Sequence, residues 1–409
     1  AAGAIILGKT NVPQSLMSAD SSANPLYGRT NNPWDLGRGP GGSSGGEAAI
    51  IAAGGSPLGL GGDFGGSLRV PAHSCGIHTL RPTTGRLTNY DTRVELLDFV
   101  AGLETILPQP GPMARSVDDL VLAMSVLAAP GQERFDPSIV PVPWRDPSEV
   151  DLRQLRVAVY TDNGHFPAAP ALRRAVREAA DALSALGVQL VEWQPPDATH
   201  AAQLFFGVAT AGGIAAWRRS LQNEKPIPDL AQMLQAMAMP PLGRRALVAI
   251  MRATGQARTA RIVGSIGDGS LHSYSALTEA VHVYRGRFLA ALEAGRFDAI
   301  ICPPLATPAV PHALSGKLGD YASYVQLYNV LGMPAGVVAA TRVRRDEESD
   351  RRPSKDTVEQ AARAVERGSA GLPVGVQVVA RHWREDVALA LMAALEGFFR
   401  ARPDYPALG

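Results

Sequence analysis

Apolar residues recur along this chain in two rhythms. Short unbroken runs bounded by turn residues predict buried strands at 3–8 (GAIILG), 155–160 (LRVAVY), 297–302 (FDAIIC), 335–340 (AGVVAA) and 374–380 (VGVQVVA). Residues 57–62 and 188–193 predict two more. The helical rhythm is clearest from Pro170 onward. Leu172, Val176, Ala179, Leu183 and Leu186 fall on one face, with proline at the start and Gly187 as the stop. Ser116 is placed to cap a helix over VDDLVLAMSVL, with Asp119 near the third helical position. Small residues at 47–54 predict a buried helix, and 67–75 the first turns of another. Strands alternating with helices predict an α/β protein, a sheet with helices on both faces.

Three stretches break the rhythm. Residues 129–151 are proline-rich and read as a linker. The mixed charges of 342–352 read as a solvated loop. Residues 201–256 are rich in Met, Ala and Leu, which fits either helical core or an adaptable apolar lid over a substrate channel.

Composition narrows the partners. A 409-residue chain with 46% hydrophobic and 19% charged residues can bury a sizeable core. The net charge of +1 gives no electrostatic case for a nucleic acid or an acidic membrane surface. Cys75 and Cys302 are too few for a disulfide framework or a thiolate metal site, and no histidine–carboxylate pattern suggests a metal. No cofactor is expected. The opening AAGAIILG lacks a basic leader and is too short to span a bilayer, so a soluble, cytoplasmic protein is expected. The absent initiator Met and the abrupt apolar start predict further sequence upstream. A homodimer stays open.

Two familiar motifs match only formally. GAIILGKT fits the phosphate-loop pattern, but its inner residues favour a strand and Pro13 opposes a helix at Lys9. Ser43 and Ser44 in PGGSSGGE both fit G-x-S-x-G. A nucleophile elbow needs a strand just before the serine, which NNPWDLGRGPGG cannot form, and neither His312 nor His382 has supporting context. A better constellation joins Ser43 to Ser67 in GGDFGGSLR. Gly65 and Gly66 can turn successive N–H groups towards one point ahead of a helix, a nest suited to an oxyanion, with the Ser67 hydroxyl beside it. Two plain tight turns would carry the same glycines.

The run GGSSGGEAAIIAAGGSPLGLGGDFGGSLRVPAHSCGIHTLRPTTGRL (41–87) resembles the signature of the amidase signature family. GAIILGKTN, YGRTNNPWD, GPMARSVDDL, YNVLGMPAGVV and GLPVGVQVVARHWRED extend the resemblance over most of the chain. YNVLGMPAGVV and GGEAAIIAAGGSPLGLG lean towards the fatty acid amide hydrolase and bacterial amidase branch. The resemblance implies one amidase signature domain over 1–409, with a central mixed, twisted sheet. It implies a Ser–cis-Ser–Lys triad in which Ser67 is the nucleophile and Ser43, after a cis peptide bond, relays its proton. Phe64, Gly65, Gly66 and Ser67 match the oxyanion hole, Ser44 a supporting position, and Asp63 and Arg69 structural polar residues. The matching lysine precedes GKTN in the family, so Lys9, Lys225, Lys317 and Lys355 do not correspond to it. Gly62 and Phe64 also depart from the pattern, which has a threonine and a smaller residue there. The implied reaction is hydrolysis of amides, anilides or carbamates with apolar or aryl groups. The rival readings are a non-catalytic amide-binding homologue and one partner-dependent component of an amidotransferase.

Overall fold

The computed structural model describes residues 3–89, 102–222 and 224–407. A small antiparallel hairpin comes first, β1 (Ser22–Asn24) and β2 (Gly28–Thr30). Then follow α1 (Gly45–Ala52), β3 (Leu58–Asp63), α2 (Arg69–Cys75), β4 (His78–Arg81), β5 (Gln109–Ala114) and α3 (Val117–Leu127). A βαβ unit is formed by β6 (Arg156–Val159), α4 (Pro170–Ala185) and β7 (Gln189–Glu192). Six helices come next: α5 (Ala198–Ala209), α6 (Gly213–Ser220), α7 (Pro228–Ala238), α8 (Pro241–Ala253), α9 (Ala257–Ser265) and α10 (Leu271–Gly295). The chain closes with β8 (Ala299–Cys302), α11 (Ser323–Leu331), β9 (Ala335–Arg342), α12 (Thr357–Glu366), β10 (Pro373–Ala380) and α13 (Glu385–Arg400).

Eight strands form one sheet in the order β3-β5-β4-β9-β10-β8-β6-β7. The five pairings from β3 to β8 are antiparallel, and β6 pairs in parallel with both β8 and β7. The sheet is therefore mixed, as the family resemblance implies. Every residue of β10, and all of β9 before Arg342, is buried, so both faces of the sheet centre are covered. Met392 of α13 packs against Gly336 on one face, and His73 of α2 meets Gly375 on the other.

Local signals acted as the sequence predicts. Ser116 accepts the Asp119 N–H at 3.1 Å and starts α3. Gly187 adopts φ +90° and ends α4, whose Leu172, Val176, Ala179 and Leu183 are buried. Leu186 does not join them and is 47% exposed. The strand expected at 3–8 does not form. These residues are irregular coil, with Ile5, Ile6 and Leu7 at 86%, 89% and 72% exposure. An apolar run becomes a strand only where a neighbour supplies the ladder, and none lies beside it among the described residues. Of the Met-rich stretch, α5 is core, with Leu204, Phe205 and Val208 buried, whereas α8 has no buried residue. No helix among the described residues is long and apolar enough to cross a membrane.

Candidate active site

The two serine loops meet at the end of β3. Ser43 follows a cis peptide bond from Gly42, and Ser44 leads into α1. The Ser44 N–H donates to the Ser67 carbonyl at 3.1 Å, which ties one loop to the other. The Ser44 hydroxyl lies where a side chain on Gly61 of β3 would stand. Ser43 and Ser44 are buried, while Ser67 is half-buried. Coil, not a strand, precedes Ser43, so the strand–serine–helix elbow does not form.

The turn from Asp63 to Leu68 depends on its glycines. Gly66 sits at φ +113°, where L-residues are strained, and a Cβ there would strike the Val325 side chain. A Cβ on Gly65 would approach Phe205 Cζ to 2.5 Å. At Gly62, by contrast, a Cβ would meet nothing within 4 Å. Sterics do not require glycine there.

Asp63 holds this turn from beneath. Its carboxylate accepts the N–H groups of Gly66 at 2.7 Å and Leu68 at 3.3 Å, and the Asn329 amide at 2.8 Å. Arg69 donates to both carboxylate oxygens, at 2.9 and 3.0 Å. Neither residue of this ion pair is exposed. Arg69 also donates to the Val325 carbonyl, Gln377 and Asn329, at 3.0, 2.9 and 2.7 Å. The turn is thereby fastened to α11 and β10. Burial pushes the Asp63 carboxyl up, but the charges of Arg69 and Arg81 and the bonds from Arg69 and Asn329 outweigh it and hold it at about 2. The carboxylate stays ionised and acts as a fixed acceptor. Because the Gly66 N–H is given to Asp63, the free donors in this turn are the N–H groups of Gly65 and Ser67, which make no hydrogen bond among the described residues.

A cavity of about 1280 Å³ opens over the two loops and is lined by Ser43, Ser44, Phe64, Gly65 and Ser67. Its apolar wall includes Phe205 and Phe206 of α5, Trp217 of α6, and Leu230 and Met233 of α7. Phe64 stacks obliquely on Phe205 with ring centroids 5.4 Å apart. The sequence-assigned serines and loop residues therefore share one chamber, and the Met-rich stretch supplies part of its wall. Other candidates lie elsewhere. His312 bonds to Asn31 and His382 to the Leu331 carbonyl, and neither lines the cavity. All four lysines are exposed, and none lines it.

Asn329, Gln377, Tyr321 and Gln326 escaped sequence reasoning. The signal was there for three of them. Gln377 interrupts VGVQVVA, and Gln326 and Asn329 interrupt SYVQLYNVL, each a polar residue in a run that is otherwise buried.

The chain belongs to the amidase signature family: the model for the family described as Amidase matches residues 1–389. It is 37% identical over 407 residues to fatty-acid amide hydrolase 1 of Sus scrofa, covering 96% of this chain and 68% of that protein. It is 32% identical over 424 residues to a glutamyl-tRNA(Gln) amidotransferase subunit of Deinococcus deserti, covering 99% and 77%. A solved fatty acid amide hydrolase superposes with a TM-score of 0.77 at 27% identity. That match covers 96% of this chain but 64% of the solved one.

Proposed function

We propose that this protein is a serine hydrolase that cleaves the C–N bond of amides, anilides or carbamates through an acyl-enzyme on Ser67. The observation that carries this reading is the junction of the two loops. Ser67 stands at the cavity with the unoccupied N–H groups of Gly65 and Ser67 beside it, and Ser43 lines the same cavity on the loop bonded to it. In this scheme the Ser67 hydroxyl attacks the carbonyl carbon. The Gly65 and Ser67 N–H groups receive the developing oxyanion, and Gly66 shapes the turn. Ser43 carries the Ser67 proton away and returns it to the leaving amine. Between these two transfers the proton rests on the lysine that the family resemblance calls for. None of the four lysines in this sequence is assigned that role. Water then releases the acyl group and regenerates Ser67. Apolar or aryl substituents suit the walls built by Phe64, Phe205 and Trp217, and within residues 201–256 the part from Phe205 to Met233 acts as the cavity's adaptable side.

The test is covalent labelling of the full-length protein with a fluorophosphonate, together with turnover of an anilide and carbamate panel. Labelling at Ser67, and loss of both labelling and turnover in Ser67→Ala, are expected. Wild-type turnover in Ser67→Ala overturns the nucleophile assignment. Similarity to a component of an amidotransferase sustains the partner-dependent reading, which predicts no turnover by the isolated protein.

A further inference from the structure

Two residues of the cavity wall carry buried polar atoms that have no partner among the described residues: the Tyr321 hydroxyl and Gln326 Oε1. Tyr321 is 4% and Gln326 6% exposed. They stand at the junction that leads into α11 and on its first turn, with the apolar Leu318 and Ala322 beside them on the same wall. Buried polar atoms in folded proteins nearly always find a partner, so two on one cavity wall call for a ligand group. Ser220 and Thr307 also carry unpartnered hydroxyls, but neither lines the cavity. The pair has defined chemistry. Burial, and then the charge of Asp20, push the Tyr321 phenol well above its ordinary range, so it remains an O–H donor. Gln326 Oε1 is an acceptor. An anion there would be repelled by Asp20, which lines the same cavity, and an ammonium or guanidinium could only donate and would leave the Tyr321 O–H without an acceptor.

We infer that the preferred substrate is an amide carrying, besides the scissile carbonyl, a second neutral group that both donates and accepts hydrogen bonds, a hydroxyl or a carboxamide, held between Tyr321 and Gln326. This rests on the hydrolase reading and adds a substrate class to it. A site whose buried polar atoms await a partner rejects the analogue that lacks one. A plain hydrocarbon chain would leave both atoms unpaired.

The experiment uses acyl anilides with a hydroxyl or carboxamide at successive chain positions, each beside its hydrocarbon counterpart of equal length. At one position the full-length enzyme is expected to prefer the polar substrate by about tenfold or more in kcat/KM. In Tyr321→Phe and in Gln326→Met that preference falls to within about threefold of unity. Each ratio is measured within one preparation, so the fraction of folded enzyme cancels. No preference at any position, or a preference retained in both variants, overturns the inference. Calorimetric binding of the same pairs to Ser67→Ala reads the subsite without turnover. A binding preference there, lost on adding Tyr321→Phe, supports the subsite even if the hydrolase reading fails, and its absence removes the subsite even if amides are cleaved.

Discussion

Replacing Asp63 by asparagine perturbs the turn that carries Ser67 at its anchor while nearly preserving shape. The carboxylate is fully buried, accepts two backbone N–H groups and faces Arg69 through two short bonds. Its displacement from an ordinary value near 4 to about 2 corresponds to about 2–3 kcal/mol, present above pH ~4 and lost as pH falls from ~4 through ~2. The substitution does more than remove that contribution, because it leaves the Arg69 guanidinium buried without its counter-charge. Breaking one partner of a buried pair costs about 3–5 kcal/mol, and the larger figure applies here. At an unfolding entropy of about 2.1 cal/mol/K per residue, 409 residues translate this into a melting temperature lower by about 3–6 °C. The Gly66 N–H also loses its charged acceptor, so the Gly65 and Ser67 donors shift relative to the reacting carbonyl. A shift on the order of 1 Å lowers kcat/KM about a hundredfold. Differential scanning fluorimetry at pH 7 and anilide hydrolysis on one preparation measure both effects. A variant that melts within about 1 °C of wild type and turns over within about threefold of it would refute the anchoring role.

Two further outcomes are expected. Gly65→Ala drives a Cβ towards Phe205 Cζ and lowers kcat/KM on the order of tenfold or more, and adding Phe205→Leu restores much of it; additive losses in that double-mutant cycle would sink the steric account. His73 and His78 are buried, and each accepts a strand N–H on Nδ1, from Gly375 at 3.1 Å and Ala339 at 3.3 Å. Burial holds His73 at about 4 against a small opposing effect of the Thr307 carbonyl, and burial with the Arg400 charge holds His78 at about 3. Both are therefore neutral in the folded protein, and their stability contribution, complete above pH ~6.5, is lost as pH falls from there through about 4 and 3. The melting temperature should drop about 4 °C between pH 7 and pH 5, and His73→Asn should roughly halve the slope; an unchanged slope would exclude His73 as a source.

Much of the fold was legible because its causes are local. Period, caps and stops sufficed for α3, α4 and the central strands, since each is settled within a few residues of sequence. The glycine loops could be recognised for the same reason: Gly66 stands at positive φ, a backbone demand that the residue itself advertises. The run at 3–8 failed because strand formation needs a neighbour, and apolar periodicity says nothing of where that neighbour is.

What sequence by itself determined was the family and the pairing of Ser43 with Ser67, through motifs whose spacing is short and dense. Tertiary structure alone decided which groups complete the site. Asn329 and Gln377 reach Arg69 from α11 and β10, more than 250 residues away along the chain, and the Gly66 N–H turned out to be spoken for by Asp63. Tyr321 and Gln326, both in the cavity wall, became candidates only when the packing around them left their polar atoms without a partner among the described residues. Whether a polar atom has a partner depends on contacts between distant segments, and those exist only once the sheet has assembled.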